Sequence, residues 1–130
     1  MAPSQSRILL EDRMTVKSMD SSKFEKVTRI SGRSAAFDAE LTIDINTNVY
    51  PLKEGQVLTF AFADQGKESL MEDYEYVCLG RVFHEDDKSA EKRAVYISFG
   101  GLLCQLIADK AIVSEFTMDK RLFFFLRRST

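Results

Sequence analysis

One histidine, two cysteines and no surplus of positive charge are the first features of this 130-residue sequence, and each shortage removes a class of function. A nucleophilic triad needs a base, usually histidine. The lone candidate, His84, stands beside Glu85-Asp86-Asp87 and reads as a solvated residue at a strand end. Cys78 and Cys104 lie in apolar stretches, with no Cys or His at metal-ligand spacing. They are expected to be free, inert thiols, which suits a reducing compartment. Lysine plus arginine number 18 against 20 aspartate plus glutamate, a net charge of −2. A dedicated nucleic-acid binder ordinarily carries a basic excess. No stretch approaches the ~20 apolar residues of a membrane helix, and Met1 to Arg7 lacks the apolar run of a signal peptide. A soluble, intracellular protein is the expectation. No phosphate loop or dinucleotide fingerprint occurs, and Gly100-Gly101 is a bare pair. The acidic runs, Glu72-Asp73 with Glu75 and Glu85-Asp86-Asp87, read as solvated faces rather than a carboxylate pair or a cation site. No catalytic residue, metal, cofactor or small-molecule substrate is therefore expected.

What is present is alternation. Phe37, Ala39, Leu41, Ile43, Ile45 and Val49 occupy odd positions, while Asp38, Glu40, Thr42, Asp44, Asn46 and Asn48 occupy even ones. That pattern predicts a long strand over 37–50 with one face buried, ended by Tyr50-Pro51. Further strands are predicted at 8–17, 26–31, 57–63, 74–83, 94–99, 102–107 and 122–126. Gly80 marks a bulge or bend in its strand. The apolar run Leu122 to Leu126 suits a strand covered on both faces. Polar breakers fall at 18–23, 32–36, 64–73, 84–93 and 108–120, with a short helical turn open within 108–116. Residues 1–7 are expected to form a flexible tail, and 8–130 a single domain. Seven or eight strands without a long helix argue for an antiparallel sandwich or small closed barrel.

Two surfaces offer themselves for binding. The Gly100-Gly101 pair between Tyr96-Ile97-Ser98-Phe99 and Leu102-Leu103-Cys104 is either a plain bend or a place where a partner's backbone comes close. Alternatively, strand aromatics and Arg81, Arg93, Arg127 and Arg128 would serve a free single-strand nucleic-acid binder of the oligonucleotide-binding barrel type.

The segment Tyr96-Ile97-Ser98-Phe99-Gly100-Gly101-Leu102-Leu103 resembles the signature of one family, the small subunit shared by eukaryotic nuclear RNA polymerases I, II and III (the eighth in the usual count). Ile8 to Asp12, Lys23 to Ile30, Glu40 to Pro51, Tyr74 to Phe83 and Asp119 to Arg128 resemble its strands in the same order. The stretch Ala63 to Asp73 is shorter than the acidic insertion many members carry there. The resemblance implies a closed, oligonucleotide-binding-like antiparallel barrel of two Greek-key halves. It also implies a non-catalytic subunit in the nucleus, nucleolus included, docked on the largest polymerase subunit. Tyr96, Phe99, Gly100, Gly101, Leu102 and Leu103 become the candidate partner contact, while Arg81, Arg93, Arg127 and Arg128 remain a weaker candidate for nucleic-acid contact.

The alternation yields a direct test of strand facing. Ile43→Ala is expected to cost about 2–5 kcal/mol, and Thr42→Ala on the opposite face far less. Denaturant titration of the two variants decides, and equal costs would overturn the assignment.

Overall fold

A computed structural model describes residues 8–24, 26–64 and 72–129. The expected tail at 1–7 and the Gly66-Lys67 portion of the short loop lie outside the described residues. The chain forms β1 (Ile8–Thr15), β2 (Ser18–Phe24), β3 (Val27–Arg33), β4 (Glu40–Asn46), β5 (Val57–Ala63), β6 (Tyr76–Asp87), β7 (Lys92–Phe99), β8 (Leu102–Asp109) and β9 (Arg121–Arg128). All pair antiparallel in one nine-stranded sheet, ordered β1-β5-β9-β6-β7-β8-β4-β3-β2.

Two expectations are corrected. The described residues form nine strands, not seven or eight, because β2 forms where the composition predicts a polar breaker. Its sequence, Ser18-Met19-Asp20-Ser21-Ser22-Lys23-Phe24, has no β-branched residue and no alternation. It is an edge strand paired only with β3, so little of it needs to be apolar. Nor is the barrel closed: the sheet is a half-barrel whose ladder does not join end to end. Where β1 approaches β3, the backbone contacts among the described residues are the isolated bridge between Met14 and Ser34 and an Ala35 N–H donated to the Arg13 carbonyl at 2.8 Å. Gly32 permits this approach, since a Cβ there would strike the Thr15 carbonyl and the Met14 side chain.

The concave face carries the main core. Leu41, Ile43 and Ile45 are buried as the alternation predicts, which supports the strand facing. The two ends of that pattern fail. Phe37 is 42% exposed and Val49 71% exposed, because β4 is shorter than 37–50. Asp38 turns the chain at a φ of 54°. Asn46 ends the strand by accepting the Asn48 and Val49 N–H groups on its side-chain oxygen, at 3.2 and 3.3 Å. The Phe62 ring lies 5.4 Å from Phe116 and 5.1 Å from Phe124. Val113 and Phe116, from turns at 110–116, are completely buried among these strands.

A second, smaller cluster sits on the other face. β5 alternates Leu58, Phe60 and Phe62 inward with Thr59, Ala61 and Ala63 outward. Phe125 and Tyr74 pack over the two outward alanines, with their rings 5.4 Å apart. The Tyr74 hydroxyl donates to Glu11 Oε2 at 2.6 Å, and burial with this bond raises its pKa to about 12. β9 is thus covered on both faces, as its unbroken apolar run requires.

Asp12 fastens the open seam. Its buried carboxylate accepts N–H groups from Ala36 (3.1 Å), Phe37 (2.9 Å) and Arg13 (2.7 Å). Burial alone would raise its pKa, but these donors and the Ser34 hydroxyl outweigh it and hold the pKa below the ordinary aspartate value. A pKa lowered on folding gives stability that is full at neutral pH and is lost as pH falls through and below the ordinary carboxylate range. Removing the carboxylate takes the acceptor from three part-buried backbone hydrogen bonds, and a bond to a charged group contributes about 1.5–3 kcal/mol. Asp12→Ala is accordingly expected to cost at least about 2 kcal/mol at neutral pH, and the gap to the parent chain should narrow on acidification. Urea titrations at neutral and acidic pH measure both effects.

Candidate docking surface

β7 and β8 meet in a two-residue turn in which Phe99 pairs with Leu102. Gly100 and Gly101 adopt φ values of 63° and 100°, as the tight hairpin turns that match strand twist demand. A Cβ at either would meet nothing within 4 Å. These glycines serve the backbone conformation, and they leave the tip open to solvent.

The base of the hairpin is fixed by two residues that sequence reasoning passed over. Asp44, on the polar face of β4, is buried. It accepts the Arg29 guanidinium at 2.7 and 3.1 Å and the Leu103 N–H at 2.9 Å. Asp44 occupies a polar position of an alternating strand, and only the β3–β4 register, which sets Arg29 opposite it, reveals the pair. A carboxylate held bidentately by arginine that also accepts a backbone N–H orients the hairpin.

Beside it, the β6–β7 ladder shifts register between Val82 and His84. This irregularity lies past Gly80, correcting the expected place. Gly80 has a different task, since a Cβ there would strike the Phe99 ring and the Ser98 carbonyl. The bulge sets Phe83 and His84 both against Tyr96, with ring separations of 6.3 and 5.2 Å. The Tyr96 hydroxyl accepts from Gln105 Nε2 at 3.0 Å. Phe83, Tyr96, Leu103 and Gln105, with Arg29 and Thr42, line a shallow depression of about 200 Å³.

The predicted partner residues separate on the structure. Phe99 is buried, 5.9 Å from the Phe124 ring, and belongs to the core. Leu102 and Tyr96 are half-buried. Gly100, Gly101 and Leu103, the last 42% exposed, face solvent. The four predicted arginines do not share one groove. Arg93 is paired with Asp87 (2.8 Å) and Glu85 (3.6 Å). The 84–93 stretch is thus not a loop: β6 runs through Asp87 and β7 starts at Lys92, and cross-strand ion pairs hold this polar hairpin. Arg127 lies 5.6 Å from the Tyr74 ring. Arg128 contacts Glu75 at 3.2 Å and lies 4.7 Å from the Tyr50 ring. Arg81 is exposed on β6. The Tyr50 hydroxyl and the backbone and side chain of Arg128 hold the Glu75 pKa down at about 2. Cys104 is buried and Cys78 half-buried, and burial pushes both thiols up. Among the described residues no group of three or more His, Cys, Asp or Glu side chains is placed to hold a metal ion.

The family model of RNA polymerase Rpb8 matches residues 11–128. The chain belongs to the RNA polymerase Rpb8 family. It is similar to DNA-directed RNA polymerases II, IV and V subunit 8B of Arabidopsis thaliana, with 37% identity over 93% of this chain and 96% of the relative. It is also similar to subunit RPABC3 of DNA-directed RNA polymerases I, II and III of Schizosaccharomyces pombe, 32% identical over 93% of this chain and 97% of that one. The Saccharomyces cerevisiae protein of the same description is 32% identical over 78% of this chain and 85% of its own length. In this member of the family, the open turn makes a clean test of the backbone argument. Gly101→Ala is expected to cost about 1–2 kcal/mol in thermal or chemical unfolding although the new methyl group clashes with nothing. A neutral substitution would refute the conformational requirement.

Proposed function

We propose that this chain is a non-catalytic structural subunit of nuclear DNA-directed RNA polymerases, acting in transcription by docking on the largest subunit. The family match across residues 11–128 carries the reading. In it, residues 8–130 act as one domain of oligonucleotide-binding-like type. In this reading the chain works in the nucleus, the nucleolus included. The β7–β8 hairpin is the docking element: the Gly100-Gly101 turn admits a partner's backbone and Leu103 supplies an exposed apolar anchor. Phe99 and Leu102 support this element from beneath, and Tyr96 floors the depression beside it. Catalysis, in this reading, resides in other subunits.

The free nucleic-acid-binding alternative gains nothing from the geometry. Arg93 and Arg128 are already committed to carboxylates, and aromatic rings such as Phe124 and Phe125 are buried.

A tagged copy expressed in its own cells should recover the large polymerase subunits. Leu103→Glu should lower that recovery several-fold while the thermal midpoint stays near that of the parent. Recovery of the parent chain alone would overturn the proposal.

A further inference from the structure

The convex face carries two positive charges that have no carboxylate partner among the described residues. Arg81 on β6 and Arg121 on β9 are Cα partners, directly opposite across an antiparallel ladder. Both are exposed. Like charges in such a position destabilise a sheet. Among the described residues neither meets a carboxylate, although Arg29, Arg33, Arg93 and Arg128 each do. The shallow depression between the pair is lined by Leu79, Gly80, Arg81, Ser98 and Arg121, with no acidic group.

Register connects this pair to the hairpin. Arg121 pairs with Arg81, Arg81 with Ser98, and Ser98 with Leu103. The four side chains therefore form one row across β9, β6, β7 and β8. Three interstrand steps make the row about 14 Å long. Positive charge stands at one end and an exposed leucine beside the Gly-Gly turn at the other. Leu79, 54% exposed, and Phe83, also exposed, flank Arg81 at two-residue spacing along the same face of β6.

We infer that this row is the seat of an acidic polypeptide segment of the polymerase subunit that covers the hairpin. Carboxylates of that segment lie over Arg81 and Arg121, and an apolar side chain lies over Leu103. The inference rests on the docking reading above and extends it from the hairpin tip across to β9. A partner polypeptide fits better than a nucleic acid. Leu79, Phe83 and Leu103 make the surroundings of the arginines apolar, and a phosphate backbone would leave those side chains in water. Binding a carboxylate there relieves the repulsion that the free chain carries.

Charge reversal separates docking from stability. Arg81→Glu in the full-length chain places opposite charges across β6 and β9. The isolated variant should unfold at the parent temperature or above it, because the substitution replaces repulsion with attraction. Its recovery of polymerase subunits from its own cells should nevertheless fall about tenfold. Arg81→Glu/Arg121→Glu should lose recovery further, and parent recovery should weaken as salt rises. If the parent chain recovers no polymerase subunit, the docking reading itself fails. If the parent recovers the polymerase and both variants match it at every salt concentration, the arginine row is not a docking site, while the hairpin reading stands. If recovery is unchanged but binding of a labelled single-stranded oligonucleotide is lost, the occupant is nucleic acid and the inference is overturned.

Discussion

A buried carboxylate at the seam of the sheet is the constraint on which the rest depends. A nine-stranded antiparallel sheet twisted enough to enclose a core has to bring its far strands together or leave their inner faces wet. Here the ladder does not close, and Asp12 does what missing interstrand bonds would have done. One side chain collects the N–H groups of the β3–β4 connection and pins that connection to β1. The concave face holds the buried core of Phe60, Phe62 and Phe124.

The sheet then works with both faces. Large residues point inward along β5 and β9 and fill the half-barrel. Outward, β5 offers only small side chains, so Phe125 and Tyr74 cover that end with a second cluster. The convex patch between Arg121 and Leu103 is left to apolar, neutral polar and basic side chains, with Asp44 and Arg29 steadying the hairpin beneath. Rigid strands present this surface, so a partner meets it ready-made and little ordering is needed on binding.

Much of this was legible in the sequence where burial is one-sided. Strict alternation located β4 and its inward residues, and the unbroken apolar run located β9. The hairpin announced itself through two adjacent glycines between apolar segments. The legibility ends where an element owes its existence to pairing rather than to burial. β2 and the outer halves of β6 and β7 are polar strands held by ladder bonds and ion pairs, so their composition looks like a loop. Arg29 with Asp44, and Arg81 with Arg121, are relationships of register between distant segments. A one-residue slip in either pairing would abolish them, and register is fixed by burial and turn geometry acting on both strands, not by the residues of one segment alone. Phe37 and Val49 followed the alternation yet lie beyond the strand, because turns at Asp38 and Asn46 end the pleat.

The order of the strands has a mechanical corollary. β1 and β2 form opposite borders of the sheet yet are neighbours in the chain, separated only by Val16 and Lys17. Three peptide links limit the Cα atoms of Thr15 and Ser18 to at most about 11 Å apart. The half-barrel therefore behaves like a cuff with a short strap across its gap. It can yield at the end away from the strap but cannot be laid flat, and any force that splays the borders is borne by covalent bonds before it reaches the core.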